Sequence, residues 1–432
     1  MVAMMVFAMI AVSVAYALTL SLSMGSDNRS REAAANLAAQ EIDLNRAVED
    51  VFTLVDADKT TTMNGTTFYL HRETNWVTST SADATCGSGG GQLKFKRVNV
   101  SVTWDGMRAS TLPVRADTVI APGTRINDPM LGTILVSVLS ASGAGNAGVT
   151  VTATPASPAA GAVALTETPD PTDAQGCSYI LKVAPGNYNV SVSRANSADV
   201  NQKPTPVTFV GVGAGSAASV AFQYDLSGAF TVNYASNAAA GTTQIPTNLD
   251  TTFKSTYPLY TPAASNNALS KVFPLHPFTS GYEIFSGKYV APSASSPGCL
   301  SPNPAEWTLP GVGGAVGQAV PAAATVAGGT VATGVPMGVL TVSGLNGQYL
   351  KAVSQAHAPG TGPAGCAGTM TYTFGKLTSN AASIALPYGA WQLFSGGSAT
   401  QTTPVLVGLT TSAPSSAVAG LVTLDPRVVV AP

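Results

Sequence analysis

Residues 1–56 read MVAMMVFAMIAVSVAYALTLSLSMGSDNRSREAAANLAAQEIDLNRAVEDVFTLVD and decide the N-terminal architecture. The first charged residue is Asp27, and at about 1.5 Å per residue the apolar block 1–24 makes about 36 Å of helix, enough to cross a hydrocarbon core of about 30 Å. No proline occurs before Pro113, and strong helix formers fill residues 33–41. We therefore expect the apolar block and a helix that continues to residue 56 to form one rod.

An apolar stripe repeats every seven residues behind this block. A stripe this narrow predicts packing on one partner surface, and residues 66–122 supply a small antiparallel sheet. TTFYLHR and KFKRVNVSVTWDG read as strands around a CGSGGGQ loop, and a further strand is expected near Thr118–Ala121. The residues expected at the contact are Leu37, Leu44, Val48, Val51 and Val55 from the helix, with Val100 and Trp104 from the sheet.

The segments MVAMMVFAMI, RSREAAANLAAQEIDLNRA and KRVNVSVTW resemble the helix and sheet of type IV pilins, minor pilins and type II secretion pseudopilins over about residues 1–125. The resemblance implies a basic leader cut by a prepilin peptidase, methylation of the new N-terminal residue, and a glutamate four residues later that guides assembly. No residue of this sequence matches those elements, so none is carried over, and we expect the true start to lie upstream of Met1.

The resemblance also implies partners and a location. The apolar helix would lie in the inner membrane before assembly and then pack against other pilin subunits in an extracellular pilus. The residues expected to make these contacts are Met1, Val2, Met5, Val6, Phe7, Ile10, Val14, Leu18, Leu20 and Leu22.

Two other interpretations of the N-terminus stay open. Ala15-Tyr16-Ala17 offers the small residues of a signal-peptide cleavage site, and the apolar block alone would serve as a single-span anchor. Arg29 and Arg31 follow the span, which on the positive-inside rule alone would place the rest of the chain in the cytoplasm. The composition beyond the helix favours export instead.

Residues 130–226 are expected to form a β-sandwich. The strands TILVSVLS, GVTVTATP and CSYILKV alternate with turns such as TDAQG and APGN. Their order resembles the prealbumin-like (transthyretin-like) repeats of bacterial surface proteins and carboxypeptidase regulatory domains.

Residues 227–432 are predicted to be a second, diverged sandwich, because SGAFTVNY echoes GTILVSVL and LPYGAWQLFSGG echoes APGNYNVSVS. A long insertion is expected from Thr243 to Val335. Its aromatic residues could line a ligand groove, although we interpret them as the core of a small sheet. They are Phe273, Phe278, Tyr282, Phe285 and Tyr289.

Composition narrows the function classes. The net charge of −2 gives no electrostatic case for nucleic-acid binding, and the three histidines belong to no metal or catalytic motif. The four cysteines have no metal-ligand spacing, so three disulfide pairings or free buried thiols stay open. We favour Cys299 with Cys366 because both lie in the last segment. No catalytic residue, metal or cofactor is predicted.

The predicted fold class is α+β: a long N-terminal helix on a small antiparallel sheet, followed by two or more mainly β domains. The predicted domains are 1–125, with helix segments 1–24 and 25–56 and the sheet 66–122, then 130–226 and 227–432. The predicted function is a structural subunit, a minor pilin, of a type IV pilus whose β modules serve adhesion to an unknown surface ligand. The alternatives are a membrane-anchored surface-binding protein that never polymerises and a type II secretion pseudopilin.

Overall fold

The computed structural model describes residues 2–78, 86, 93–122, 128–239, 243–356 and 364–428. They form two compact units, the first comprising the residues up to Arg194 with Thr205–Tyr224, and the second Ala195–Pro204 with the residues from Asp225 onward. Strands make up 43% of the protein and helix 13%. The predicted α+β class is therefore wrong. The protein is mainly β, because a single long helix is followed by modules built almost entirely from strands.

The helix α1 (Val2–Arg46) is continuous over 45 residues. The prediction that it continues to residue 56 is wrong, because a separate 3-10 turn at Val51–Thr53 follows it. Asp50 caps this turn by accepting a hydrogen bond from the Phe52 N–H at 2.9 Å. Val51 and Leu54 are buried, so the chain after α1 returns toward the core instead of extending the rod.

The first sheet packs against α1 and has four antiparallel strands in chain order. The turn between its first two strands is Asn64-Gly65, and the φ values of 50° and 80° suit the type I′ turn that Asn-Gly favours in hairpins. The first strand was not predicted, although this dipeptide signals it. The strands are β1 (Ala57–Met63), β2 (Thr66–Thr78), β3 (Leu93–Trp104) and β4 (Val114–Ile120).

A β-sandwich completes the first unit. One sheet places β8 (Gly186–Ser193) between β6 (Thr150–Pro155) and β10 (Val207–Val212). In the other sheet, β5 (Gly132–Leu139) is antiparallel to β7 (Cys177–Val183) and parallel to β11 (Ala217–Leu226). Buried side chains from both sheets form the core, including Ile134, Val136, Val151, Tyr188, Val190 and Phe222.

The strand β5 is buried on both faces. Ile134 and Val136 face the sandwich core, whereas Leu135 joins the core between α1 and the first sheet. Burial on both sides explains why GTILVSVL reads as a nearly continuous apolar run and not as a strict alternation. The predicted domains 1–125 and 130–226 thus contribute to one compact unit.

The second unit contains several small sheets around one core. The strand orders are β15-β12-β17, β13-β21-β18-β24, β14-β16 and β20-β19-β22-β26-β25, with β23 paired to β22. The strands are β9 (Ser197–Asp199), β12 (Gly228–Tyr234), β13 (Thr243–Gln244), β14 (Thr251–Lys254), β15 (Ser270–Leu275), β16 (Glu283–Ser286), β17 (Thr330–Val335), β18 (Gly338–Ser343), β19 (Tyr349–Ser354), β20 (Thr371–Lys376), β21 (Ala381–Leu386), β22 (Gly389–Gly396), β23 (Thr403–Pro404), β24 (Leu409–Thr411), β25 (Ser416–Val418) and β26 (Leu421–Leu424).

Of the two sequence similarities between the predicted sandwiches, the one between β12 and β5 is matched by the same strand pairing, whereas the one between β22 and β8 is not. β12 is antiparallel to β15 and parallel to β17, as β5 is to β7 and β11. The second echo, β22, comes after β17 in the chain, whereas β8 precedes β11. The segment 243–335 contributes Phe253, Phe278 and Tyr282 to the common core of the unit. It is therefore an integral part of that core.

Candidate functional site

The N-terminal half of α1 is apolar and exposed; we call residues 4–22 the apolar half. The most apolar 18-residue window of the helix has a mean hydropathy of 2.2 and no buried residue, and by length and composition the helix could cross a membrane. Met1 and the side chains of Val2 and Leu20 lie outside the described residues. The other predicted assembly residues are exposed by 49% to 75%: Met5, Val6, Phe7, Ile10, Val14, Leu18 and Leu22.

Arg108 holds α1 near the point where the apolar half ends. Its Nε lies 2.8 Å from Asp27 Oδ2, and its Nη2 donates to Ser23 Oγ at 2.9 Å. The two helical partners are four residues apart and so lie on the same face of α1. Because the ion pair is partly exposed, it contributes little stability. The direction in which the apolar half leaves the domain is set by the continuous helix docked on the sheet, and Arg108 adds a contact near residue 27.

The C-terminal half of the helix lies against the sheet; we call residues 34–45 the docked half. Ala34 and Ala38 are almost completely buried and share a core with Val98, Val100 and Val102 of β3. Side chains as small as alanine allow the helix backbone to come close to a sheet that carries bulky residues. The buried face of the docked half is therefore built from small residues.

The predicted seven-residue stripe describes this face only in part. Leu44 is 54% exposed, so its predicted contact with the sheet is wrong. Glu41 and Asn45, which are polar, are buried in its place. Leu37 and Val48 are partly buried against the core, Val51 is buried in the 3-10 turn, and Val55 is half-buried. On the sheet side, Val100 and Trp104 are buried in this core.

Charged side chains from the sheet surround Glu41. Lys59 Nζ of β1 lies 2.7 Å from one carboxylate oxygen and 3.0 Å from the other, and Arg72 of β2 lies 3.3 Å away. Arg72 also donates to Asn45 Oδ1 at 2.6 Å and to the Val55 carbonyl at 2.9 Å. A buried carboxylate is tolerated where cations and donors satisfy it, so these bonds specify which face of α1 meets the sheet.

An aromatic cluster joins the helix–sheet domain to the sandwich within the first unit. The ring of Phe52 lies 5.3 Å from Trp76 and 4.7 Å from Tyr179 of β7. Trp76 Nε1 donates to the Tyr179 hydroxyl at 2.9 Å. The disulfide between Cys86 and Cys177 covalently links the two parts. The sandwich is thus attached to the helix-bearing domain by packing, hydrogen bonding and a covalent bond.

Lys96 of β3 is fully buried beside this cluster. Its ammonium lies 5.3 Å from the centre of the Trp76 ring and has no hydrogen-bond partner among the described residues. Burial lowers the pKa of Lys96 to about 8, opposed by the attraction of Asp173. Burial also raises the pKa of Asp173, although the N–H groups of Gln175 and Cys177 each donate to its carboxylate at 2.9 Å. No sequence motif indicated this buried lysine.

The structure pairs all four cysteines. Cys299 and Cys366 form a disulfide within the second unit, the pairing that the sequence favoured. Cys86 and Cys177, for which several partners were open, form the other.

The histidines occupy different surroundings. His71 Nδ1 lies 2.7 Å from the exposed Asp58 carboxylate, and His276 is buried with Nδ1 3.0 Å from the Ala198 carbonyl oxygen. Burial lowers the pKa of His276. His357 lies outside the described residues. Within the described ranges, no group of three or more His, Cys, Asp or Glu side chains is placed to hold a metal ion.

Comparisons with known proteins place this chain in no family. No family model and no curated protein matches the sequence. The solved structures that are similar include three proteins. The TIE protein of Bacillus anthracis is 12% identical, with 80% of this chain and 68% of that chain covered and a TM-score of 0.20. A streptococcal ancillary pilin is 11% identical (56% of this chain and 76% of that chain, TM-score 0.22), and the major pilin subunit of Bacillus cereus is 10% identical (66% of this chain and 96% of that chain, TM-score 0.20). TM-scores near 0.2 do not identify a shared fold, so function is inferred from the geometry of this chain.

Proposed function

We propose that this protein is a minor structural subunit of a type IV pilus or a related filament. Its β modules would face outward and serve adhesion. The observation that carries the proposal is the directed apolar half of α1. A tether to a lipid bilayer works in any orientation. Helices that pack side by side in a filament core must all leave their domains in the same direction. The continuity of α1 from its docked half supports that constraint, and the contacts of Arg108 with Asp27 and Ser23 reinforce it.

The free energy of burying apolar side chains favours a helix that lies first in a lipid bilayer and then against the helices of neighbouring subunits. The exposed apolar side chains are stabilised in a bilayer, and burial against neighbouring helices removes them from water at about 25 cal/mol per Å². The subunit would therefore reside in the inner membrane before assembly and outside the cell after it. The size of the β modules favours a sparse or terminal position, since such modules would crowd one another at every site of a filament lattice.

The competing function is a membrane-anchored surface protein that never polymerises. Its specific support is the same helix, which is long and apolar enough to act as an anchor by itself. The two functions differ in where the mature protein is recovered. A pilus subunit is found in filaments sheared from cells, whereas an anchored protein stays in the membrane fraction.

The experiment compares wild type with Arg108→Ala in sheared filaments and membranes. We expect wild type in the filaments, and several-fold less Arg108→Ala there with an unchanged amount inserted in the membrane, because the apolar half loses its fixed direction. Arg115→Ala, at an exposed arginine of β4, is the matched control and should resemble wild type. Wild type confined to the membrane would contradict the proposed function. Equal incorporation of wild type and Arg108→Ala into filaments would contradict the role given to Arg108.

A further inference from the structure

A cleft of about 520 Å³ in the second unit has a floor of aligned hydroxyl groups. Thr243 of β13 pairs in register with Ser383 of β21, Ser383 with Thr341 of β18, and Thr341 with Thr410 of β24. Residues in register share a sheet face, and strands are about 4.8 Å apart, so the four hydroxyl residues form a row about 14 Å long. All four line the cleft.

Part of this row has no partner within the protein. Thr243 Oγ1 and Ser383 Oγ lie 3.0 Å apart and satisfy each other. Within the described residues, the hydroxyls of Thr341 and Thr410 form no hydrogen bond with the protein. The row therefore runs from a satisfied, buried end to an open end that offers donors and acceptors to a ligand.

Tyr388 lines the same cleft. It is only 8% exposed, and its hydroxyl has no protein hydrogen bond among the described residues. Burial and the nearby Asp425 raise the pKa of Tyr388 to about 12, so the phenol stays protonated and can donate a hydrogen bond. The hydroxyl is not among the buried polar atoms that lack a partner, so it reaches water, which a ligand hydroxyl can replace.

The charges at the cleft cancel. Arg427 and Asp425 form a two-pronged ion pair, with nitrogen–oxygen distances of 3.0 Å and 2.6 Å, and both side chains are largely buried. Arg427 is further held by the Leu309 carbonyl at 2.8 Å. Because this guanidinium is already occupied, it is poorly placed to bind an anionic ligand.

We propose that this cleft binds a neutral oligosaccharide. Hydroxyl groups that both donate and accept match the hydroxyls of a sugar, and the half-buried side chain of Val339 supplies apolar contact for its C–H faces. The volume is within the range of about 300–1,000 Å³ typical of ligand sites. A peptide strand would instead be recognised through a free strand edge, and the floor of this cleft is a sheet face.

The inference gives a ligand class to the adhesive part of the proposed function, but its test is independent of assembly. The full-length chain, purified in detergent, is applied to an array of neutral and acidic oligosaccharides and extended peptides, and each bound compound is then titrated. A chain that binds no sugar could still be recovered in filaments, and a chain that is not recovered in filaments could still bind a sugar. The two proposals can therefore be contradicted separately.

We expect at least one neutral oligosaccharide to bind, and Thr341→Val and Tyr388→Phe each to weaken it roughly three- to tenfold, the loss of about one hydrogen bond. Thr333→Val, on β17 in another sheet, is the matched control and should bind as wild type does. If Thr341→Val does not fold, the exposed Thr410→Val tests the same row. Binding only of acidic sugars or peptides, no binding at all, or equal binding by all variants would overturn the proposal.

Discussion

The two halves of α1 reverse the usual relation between hydrophobicity and burial. In the apolar half, side chains such as Phe7 and Val14 are exposed, whereas in the docked half Glu41 and Asn45 are buried. The docked half is specified by small side chains and by polar groups with partners in the sheet. No described residue of the chain covers the apolar side chains of the apolar half. We therefore expect the apolar half to contact other molecules, whereas polar pairing marks where the helix meets its own domain.

The largest expected effect in the docked half comes from removing Glu41. Glu41→Ala leaves the largely buried Arg72 without its carboxylate partner, and we expect the free energy of unfolding of this region to fall by about 3 kcal/mol. Amide hydrogen exchange in β2 and β3, measured by mass spectrometry, reports this region separately from the second unit.

The control for this substitution is Asp43→Ala on the same helix. Asp43 is 76% exposed and lies 3.7 Å from Arg46, so its removal should change the free energy by less than about 0.5 kcal/mol. Equal protection of β2 and β3 in both variants would show that the Glu41 network does not hold the helix on the sheet.

A smaller effect is expected at Lys96, the buried charge that has no hydrogen-bond partner among the described residues. Its pKa of about 8 in the folded protein lies below the usual value of 10.5, which corresponds to a cost of roughly 3 kcal/mol for the charged form near neutral pH. Lys96→Met removes this charge and keeps an unbranched side chain. We expect the free energy of unfolding at pH 7 to rise by roughly 1 to 3 kcal/mol.

The pH dependence separates this electrostatic effect from packing. Between about pH 8 and pH 10 the unfolded chain holds the Lys96 proton more firmly than the folded protein, so wild-type stability should rise with pH in that window. The raised pKa of Tyr179 acts only at higher pH and in the opposite direction. Lys96→Met should show a smaller rise, since burial lowers the pKa of Lys271 as well and that residue is unchanged. Lys94→Met, at an exposed residue of the same strand, should retain the full rise. An unchanged slope in Lys96→Met would refute the assignment.

The sequence predicted the parts of this fold that follow hydrophobic periodicity. The helix, the alternation of Val98, Val100 and Val102 in β3, and the sandwich strands all follow from it. The predicted packing face of α1 was wrong at Leu44 and missed Ala34, Ala38, Glu41 and Asn45, because alanine is only weakly apolar and polar side chains give no apolar signal, although these residues are buried. The end of α1 was missed because tertiary burial of Val51 and Leu54 ends it, in a stretch that contains neither glycine nor proline.

The contacts of Arg108 and the row of hydroxyl groups could be recognised only from the structure, and not from the sequence. Arg108 lies 81 positions from Asp27 in the chain, and no local pattern pairs them. The hydroxyl row joins four strands whose register only the folded sheet defines. Single Ser and Thr residues are too common in this sequence to indicate a site, so contacts of this kind could not be read from local spacing.

The most direct test of the central claim is to find what covers the apolar half in the assembled protein. A photo-crosslinking amino acid at Val14, which is 53% exposed in the monomer, is activated in sheared filaments, with the exposed Val119 of β4 as the control position. We predict that position 14 crosslinks to the N-terminal helix of another filament subunit and that position 119 does not. Crosslinks from position 14 only to membrane lipid, with no labelled chain in the filaments, would contradict the account.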